Sequence, residues 1–153
     1  MLTVTLYALG TIKEPYLQLG IQEFLKRLKP FANINIIEIK ESSSDQPTIA
    51  LKEEAERLEK ALPKDGYRVV FAIEGIMFNS SQLAQHIDKI QQIHSHVIFI
   101  IGGSHGVAES VKKNAHALWS FSSLTFPHQL FRLLVLEQLY RGMSILAHHP
   151  YHK

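Results

Sequence analysis

Glycines and hydroxyl-bearing residues occur in three short segments that each follow an apolar run of the sequence. In an open parallel sheet, ligands bind outside the carboxyl ends of the strands, and glycine lets a ligand approach backbone N–H groups closely. The pattern predicts a ligand site, although ordinary tight turns between strand and helix have a similar composition. The three segments are Glu74-Gly75, Gly102-Gly103-Ser104-His105-Gly106 and residues 121–127.

The glycine segment at residues 102–106 does not match the Gly-x-Gly-x-x-Gly fingerprint, so a dinucleotide site of the Rossmann type is disfavoured. Residues 121–127 are more unusual, because hydroxyl groups that can cap the next helix alternate with apolar groups that can sandwich a flat ring. A plain helix-entry loop explains this segment equally well. Its residues are Phe121, Ser122, Ser123, Leu124, Thr125, Phe126 and Pro127.

The last six residues also have a composition suited to binding. They contain Tyr151, three histidines and a lysine directly after a long helical segment. Tyrosine and histidine can stack on a nucleobase, and lysine can contact a phosphate. A zinc site at His148, His149 and His152 is the competing interpretation, and it is disfavoured because no cysteine or carboxylate lies nearby in the sequence.

Two arginines lie on the long segment before this tail. Glu137 and Arg141 are four residues apart and predict a salt bridge along one helix face. Arg132 lies near the start of the helix, next to the 121–127 segment, and is the better candidate for a phosphate or carboxylate contact.

Hydrophobic periodicity predicts the elements that position these residues. The segments at 67–73 and 97–101 are almost continuously apolar, as in strands buried on both faces of a parallel sheet. The alternation of strands and helices predicts one α/β domain over residues 1–153, with a mostly parallel sheet and helices on both faces. Strands are predicted at residues 1–8, 33–39, 67–73, 97–101 and 119–121, helices at 14–28, 49–62, 80–93, up to about 115, and at 127–146, with a polar loop at 41–48.

Composition narrows the class of protein. The chain has 153 residues, no cysteine and a formal net charge of only +2, so any RNA-binding surface must be local. The first residues lack the pattern of a signal peptide, and no apolar run approaches the roughly 20 residues that span a bilayer. The expected location is the cytoplasm.

Four motifs together carry a resemblance that none carries alone. They are Ile100-Ile101-Gly102-Gly103-Ser104-x-Gly106, Ser120-Phe121-Ser122-x-Leu124-Thr125-Phe126-Pro127-His128, Glu137-Gln138-Leu139-Tyr140-Arg141 and His149-Pro150-Tyr151-His152. In this order they resemble the RlmH family, the ribosomal large-subunit methyltransferases H of the SPOUT superfamily. The likeness spans essentially the whole chain and is densest in its C-terminal half, while His105 and the Ala147-His148 pair depart from the family.

The resemblance implies a homodimer with a C-terminal trefoil knot that transfers a methyl group from S-adenosylmethionine. The implied target is N3 of a pseudouridine in 23S ribosomal RNA, in a structured substrate such as the assembled ribosome, with no metal and no membrane involved. Tyr151 and His152 would face the RNA, the tail coming from the neighbouring subunit. The implied methyl-donor pocket consists of Phe71, Gly102, Phe121, Ser122, Ser123, Leu124, Thr125 and Phe126.

The reaction sets the expected roles of the tail residues. A sulfonium methyl is already electrophilic, whereas an imide nitrogen must lose its proton, so His152 is the candidate for base or orienting group and Tyr151 for stacking or hydrogen bonding. Arg132 is expected to orient the tail or to bind a phosphate. Two alternatives remain open: a ribosome-associated RNA-binding module without catalysis, and a small-molecule α/β enzyme that binds a phosphate at the glycine segment.

Overall fold

The computed structural model describes all 153 residues, which form five strands and five helices in alternating order. The strands are β1 (Leu2–Leu9), β2 (Ala32–Ile39), β3 (Tyr67–Met77), β4 (His96–Ile101) and β5 (Ala117–Ser120). The helices are α1 (Pro15–Leu28), α2 (Pro47–Ala61), α3 (Ser80–Ile93), α4 (Glu109–Lys113) and α5 (His128–Leu146).

The strands form a single sheet in the order β2-β1-β4-β3-β5, and every neighbouring pair is parallel. All carboxyl ends therefore lie at one edge of the sheet. At this edge Gly10 follows β1, Gly102 follows β4 and Phe121 follows β5. The prediction of a mostly parallel α/β sheet is confirmed.

Helices cover both faces of the sheet, as predicted. The larger core cluster lies on the face covered by α1, α3 and α5, and it includes Leu17, Ile87 and Leu136. The smaller cluster lies on the opposite face, where Leu58 of α2 and Val111 of α4 pack on β1 and β4. Side chains alternate between the two clusters along β4, which explains why this strand is apolar at nearly every position.

Most element boundaries differ from the sequence prediction by one or two residues, and two of the differences have a clear physical cause. Helix α2 begins at Pro47, because proline is well suited to the first turn of a helix, where no N–H partner is needed. Strand β3 continues to Met77, past a register shift between Phe71 and Ile76 where the intervening residues bulge out of the ladder. Glu74-Gly75 therefore lies within a bulged strand, and the prediction that it follows the strand end was wrong.

No helix of the chain is both long enough and apolar enough to cross a bilayer.

Candidate active site

A cleft opens at the carboxyl ends of β3 and β5, where the bulge of β3 faces the 121–126 loop. It has a volume of about 160 Å³, and none of its lining residues is ionisable. The predicted residues Phe71, Phe121, Ser122, Leu124, Thr125 and Phe126 line it, together with Ala72, Ile73, Trp119, Ser120 and Phe131. Most of the sequence-predicted pocket is therefore brought together in one place.

The bulge depends on a close approach between β3 and β5. A Cβ atom at Gly75 would lie 2.7 Å from backbone atoms of Leu118 and Trp119, so only glycine permits this contact. The ladder reaches Trp119 twice, once opposite Phe71 and once opposite Ile76. The residues between these two positions are free of the ladder, and Ala72 and Ile73 among them reach the cleft.

The floor of the cleft is a cluster of aromatic rings centred on Phe71. Its ring centroid lies 5.1 Å from that of Phe121 and 5.3 Å from those of Phe99 and Phe131, each in an edge-to-face arrangement. Trp119 packs edge-on at 6.2 Å. Such pairs are attractive beyond the area they bury, so the floor is rigid and apolar and presents ring faces and edges to a flat ligand.

Most backbone groups in the wall formed by residues 122–126 lack a hydrogen-bond partner within the chain. Ser120 Oγ donates to the Ser122 carbonyl, and the Leu124 N–H donates to Ser122 Oγ, both at 3.0 Å. The other backbone groups of residues 122–126 make no hydrogen bond within the chain. They are free to bind the polar edge of a ligand whose flat face rests on the rings.

Two residues of the predicted pocket, Gly102 and Ser123, do not line the cleft. Gly102 begins a tight turn in which the Gly106 N–H donates to the Gly103 carbonyl at 3.0 Å and Gly106 has a φ of +78°. A Cβ atom on Gly102 would lie 2.5 Å from the Gly106 carbonyl. In this protomer Gly102 therefore has a steric role in shaping the turn.

Arg132 makes a carboxylate contact, one of the two contacts predicted for it, but its burial leaves no path for an RNA phosphate, and this corrects that part of the prediction. It is 2% exposed, and its Nη1 atom donates to Glu38 Oε2 at 2.6 Å while Nη2 donates to the Gly10 carbonyl at 3.1 Å. The Ile12 N–H also donates to Glu38 at 3.2 Å. Arg132 fixes the first turns of α5 to the carboxyl ends of β1 and β2, and thereby fixes the end of the loop that walls the cleft.

A second polar contact lies one turn earlier on α5. His128 Nε2 is 3.4 Å from Glu41 Oε1, and neither atom has a hydrogen-bond partner in the chain. Glu41 also covers the glycine turn, because a Cβ on Gly103 would lie 2.5 Å from the same carboxylate oxygen. The start of α5, the glycine turn and the end of β2 therefore meet around one carboxylate.

The tail folds back on α5 and is held there by Glu137. Tyr151 donates its phenol proton to Glu137 Oε1 at 3.0 Å, and Arg141 Nε donates to the same oxygen at 3.1 Å, which confirms the predicted Glu137–Arg141 pair. Arg141 also lies 4.8 Å from the Tyr151 ring centroid. Burial and the hydrogen bond to Glu137 raise the pKa of Tyr151 above its ordinary value of 10.0, so the phenol is a proton donor at neutral pH.

The Nδ1 atom of His152 lies 3.2 Å from the Nη1 atom of Arg141. A guanidinium can only donate, so the contact is a hydrogen bond when Nδ1 is the acceptor and, in the neutral ring, the proton is on Nε2. No tail residue lines the cleft. Along α5, Phe131 of the cleft and Glu137 of the tail anchor are roughly 9 Å apart at 1.5 Å per residue.

A surface ion pair braces the outer side of the β3 bulge. Lys112 Nζ lies 2.6 Å from Glu74 Oε1. The hydrogen bond from Lys112, with a smaller contribution from the backbone, lowers the pKa of Glu74 below its ordinary value of 4.5.

Several cleft residues were missed by the sequence reasoning. Ala72 and Ile73 become part of the site through the bulge, and Phe131 through the first turn of α5. The one usable signal was Trp119, the single tryptophan of the chain, which directly precedes the 120–128 motif.

Comparison with known sequences decides the family. A model of the family described as "Predicted SPOUT methyltransferase" matches residues 2–152. The chain belongs to the SPOUT methyltransferase family. It is therefore a methyltransferase and uses a methyl donor.

Curated relatives agree along the whole chain. A protein of Caldicellulosiruptor saccharolyticus named "Ribosomal RNA large subunit methyltransferase H" is 42% identical over 153 residues, covering 98% of this chain and 99% of the relative. Relatives of the same name in Halothermothrix orenii and Alkaliphilus oremlandii are each 41% identical, covering 98% and 99% of this chain and 99% and 100% of their own lengths.

A solved structure shows the same fold in a more distant sequence. It is titled "The structure of a probable methylase family protein from Haemophilus influenzae Rd KW20" and has a TM-score of 0.54 at 11% identity. The match covers 99% of this chain and 70% of the other.

Proposed function

We propose that this SPOUT methyltransferase transfers a methyl group from S-adenosylmethionine to N3 of a pseudouridine in large-subunit ribosomal RNA, working as a cytoplasmic homodimer. The name shared by relatives at 41–42% identity over the full chain supports ribosomal RNA as the substrate. The observation that carries the proposal is the cleft, which combines edge-to-face aromatic rings with unpaired backbone groups at the carboxyl ends of a parallel sheet.

The residues of the cleft fit an adenosine-containing methyl donor. The adenine ring would lie against Phe121 and Phe126, and backbone N–H and C=O groups of the 122–126 loop would bind its polar edge. The bound donor supplies an electrophilic methyl group on a positively charged sulfur. The chain would hold this methyl group close to the target nitrogen and in line with it, and would exclude water. Proximity and in-line alignment are the main sources of rate enhancement for such a transfer.

The cleft is incomplete in one protomer, and this supports a dimer. Its volume of about 160 Å³ is below the roughly 300 Å³ at which drug-sized sites begin. Large apolar side chains at or beside the rim are left open to solvent, namely Ile73 at 58%, Ile76 at 61%, Met77 at 60% and Leu124 at 70%. A second subunit that covers these residues would bury them and close the cleft.

The same arrangement explains how the tail takes part in the reaction. Tyr151 and His152 belong to no part of their own protomer's cleft, so they would act at the cleft of the partner. His152, with Nδ1 bound to Arg141, presents Nε2–H outward as a donor to a carbonyl of the target base. This favours the orienting role over the base role, and the imide proton would leave to water.

Calorimetric titration with S-adenosylmethionine tests the cofactor site. Thr125 is an exposed residue of the cleft wall, so Thr125→Trp should leave the fold intact, fill the cleft and weaken binding at least tenfold. Ser123→Trp is the matched control, because Ser123 is exposed on the same loop but does not line the cleft.

Methylation of large ribosomal subunits by the wild-type protein tests the substrate. Saturable donor binding without methyl transfer to ribosomal RNA would contradict the proposed target and leave only the family activity. Equal loss of binding in both tryptophan variants would contradict the proposed position of the donor.

A further inference from the structure

Tyr151 of the tail and Arg27 of α1 both pack on the Tyr140 ring, so the tail and the C-terminal end of α1 are neighbours on the protein surface. We infer that this surface extends the RNA footprint beyond the tail, with Lys26 and Lys29 of α1 contacting phosphates of the substrate. The inference rests on the proposed function, because it takes large-subunit ribosomal RNA as the partner.

Aromatic rings connect the two parts of this surface. Arg27 of α1 lies 5.0 Å from the ring centroid of Phe24 and 5.9 Å from that of Tyr140 on α5. Tyr140 packs edge-on against Tyr151 at 4.7 Å, and Arg141 covers the Tyr151 ring at 4.8 Å. The two guanidinium groups are therefore held on either side of one aromatic strip.

Charge is concentrated at this surface. Lys26, Arg27 and Lys29 lie within four residues of each other, and Glu23 and Glu137, the carboxylates bound to Arg27 and Arg141, are each paired with an arginine. Lys26 and Lys29 are left without an ion-pair partner, so two unpaired positive charges lie about one helical turn apart in a chain whose formal net charge is +2. This meets the requirement that the basic surface of a nearly neutral protein must be local.

The two lysines are suited to phosphate contacts and not to a structural role. Lys26 and Lys29 are exposed at the C-terminal end of α1 and form no ion pair within the chain. Arg27, in contrast, packs on aromatic rings and pairs with Glu23 at 3.0 Å. RNA is favoured over an acidic protein because the surface is continuous with Tyr151 and His152, which the proposed function places at the target base.

The experiment measures the affinity for purified large ribosomal subunits as a function of KCl concentration. Each phosphate contact contributes roughly 0.7 to 0.9 to the slope of log K against log salt, so Lys26→Ala/Lys29→Ala should reduce the slope by about 1.4 to 1.8. Calorimetric affinity for S-adenosylmethionine should be unchanged. Lys52→Ala/Lys60→Ala on α2 is the matched control, since it removes the same charge from exposed positions on the opposite face of the sheet.

The outcomes separate this inference from the proposed function. An unchanged slope in the α1 variant, with wild-type binding and methylation intact, overturns the inference alone. A wild-type protein that neither binds nor methylates the subunits overturns both. Competition by polyglutamate as effective as that by RNA, at equal charge concentration, overturns the assignment to RNA and indicates an acidic protein partner.

Discussion

The cleft and the tail differ in chemical character, because the cleft is apolar and the tail is charged and hydrogen-bonded. The cleft has a floor of aromatic rings packed edge to face, a wall of unpaired backbone groups and no ionisable residue. The tail is a network in which Glu137 binds both Arg141 and Tyr151 and in which His152 contacts Arg141. The first suits a ligand recognised by shape and backbone, and the second suits one recognised by charge and directed hydrogen bonds.

The difference indicates that the two regions bind different ligands, the cleft the methyl donor and the tail the RNA. An apolar cleft has no side chain that would orient a target base by charge or directed hydrogen bonds, and an exposed tail has no enclosure that excludes water. Under the proposed function neither region completes the site alone, so we expect methyl transfer to require that the two meet. No tail residue lines the cleft of its own chain, so the proposed dimer is the assembly in which the two regions would meet.

Mixing two inactive variants should restore activity, and this is the largest expected effect. Thr125→Trp disables the cleft and His152→Ala disables the tail, so each alone should lose at least a hundredfold in methyl transfer to large subunits. If the tail acts on the partner's cleft, mixed dimers contain one intact site, and a symmetric random mixture should recover about a quarter of wild-type activity.

A tail that acts on its own cleft predicts no recovery in the mixture, because no protomer has both parts intact. His152→Gln serves as the control for the role of the histidine. The glutamine amide keeps a hydrogen-bond donor, so partial activity supports an orienting group, whereas a loss equal to that of His152→Ala supports a base.

Replacing Arg132 should affect the fold more than RNA recognition. Arg132→Met removes a buried charge that holds α5 to Glu38 and Gly10, and should lower the free energy of unfolding by about 2–3 kcal/mol. Urea unfolding measures the loss. Under conditions where the variant is folded, the salt dependence of its binding to large subunits should match that of the wild type.

Arg57→Met offers a comparison at an exposed ion pair, where the change should remain below about 1 kcal/mol. A stable Arg132→Met protein with a reduced salt slope would restore the original sequence prediction of a phosphate contact.

The smallest expected effect is the change in stability on breaking the Glu74–Lys112 ion pair on the outer side of the β3 bulge. Lys112 lowers the pKa of Glu74, so the pair stabilises the folded state above the ordinary pKa of 4.5, and this contribution is lost as the pH falls through the lowered pKa. Glu74→Gln should cost less than about 1 kcal/mol at neutral pH, because the carboxylate is half exposed. Urea unfolding measured from neutral to acidic pH should show that the difference in unfolding free energy between Glu74→Gln and the wild type disappears in acid.

Glu109→Gln is the matched control, since Glu109 lies 3.5 Å from the same lysine and is 76% exposed. A difference between wild type and Glu74→Gln that persists in acid would show that the side chain acts through its shape and not its charge.

The sequence predicted what depends on local pattern. The apolar runs located β3 and β4, hydrophobic periodicity located α3, and the motif at 120–128 located most of the cleft. The sequence could not predict contacts between distant segments. Glu38 and Arg132 are 94 residues apart, and only the folded sheet brings them together.

The bulge of β3 shows the same limit. Its cause is the approach of Gly75 to Leu118 and Trp119, which no period of the sequence records. Gly102 and Ser123 were predicted from motif matching, and the structure places both away from the cleft of their own protomer. The trefoil knot stays a prediction from the family.

Trp119 makes the cleft visible to fluorescence spectroscopy. It is the only tryptophan of the chain, it is 2% exposed, and it lies in the cleft wall against Phe71 and Phe78. Its emission should be blue-shifted in the free protein and should respond when a ligand enters beside it. With excitation selective for tryptophan, donor binding could then be followed by stopped-flow mixing without an attached dye, because the only emitting tryptophan lies at the site.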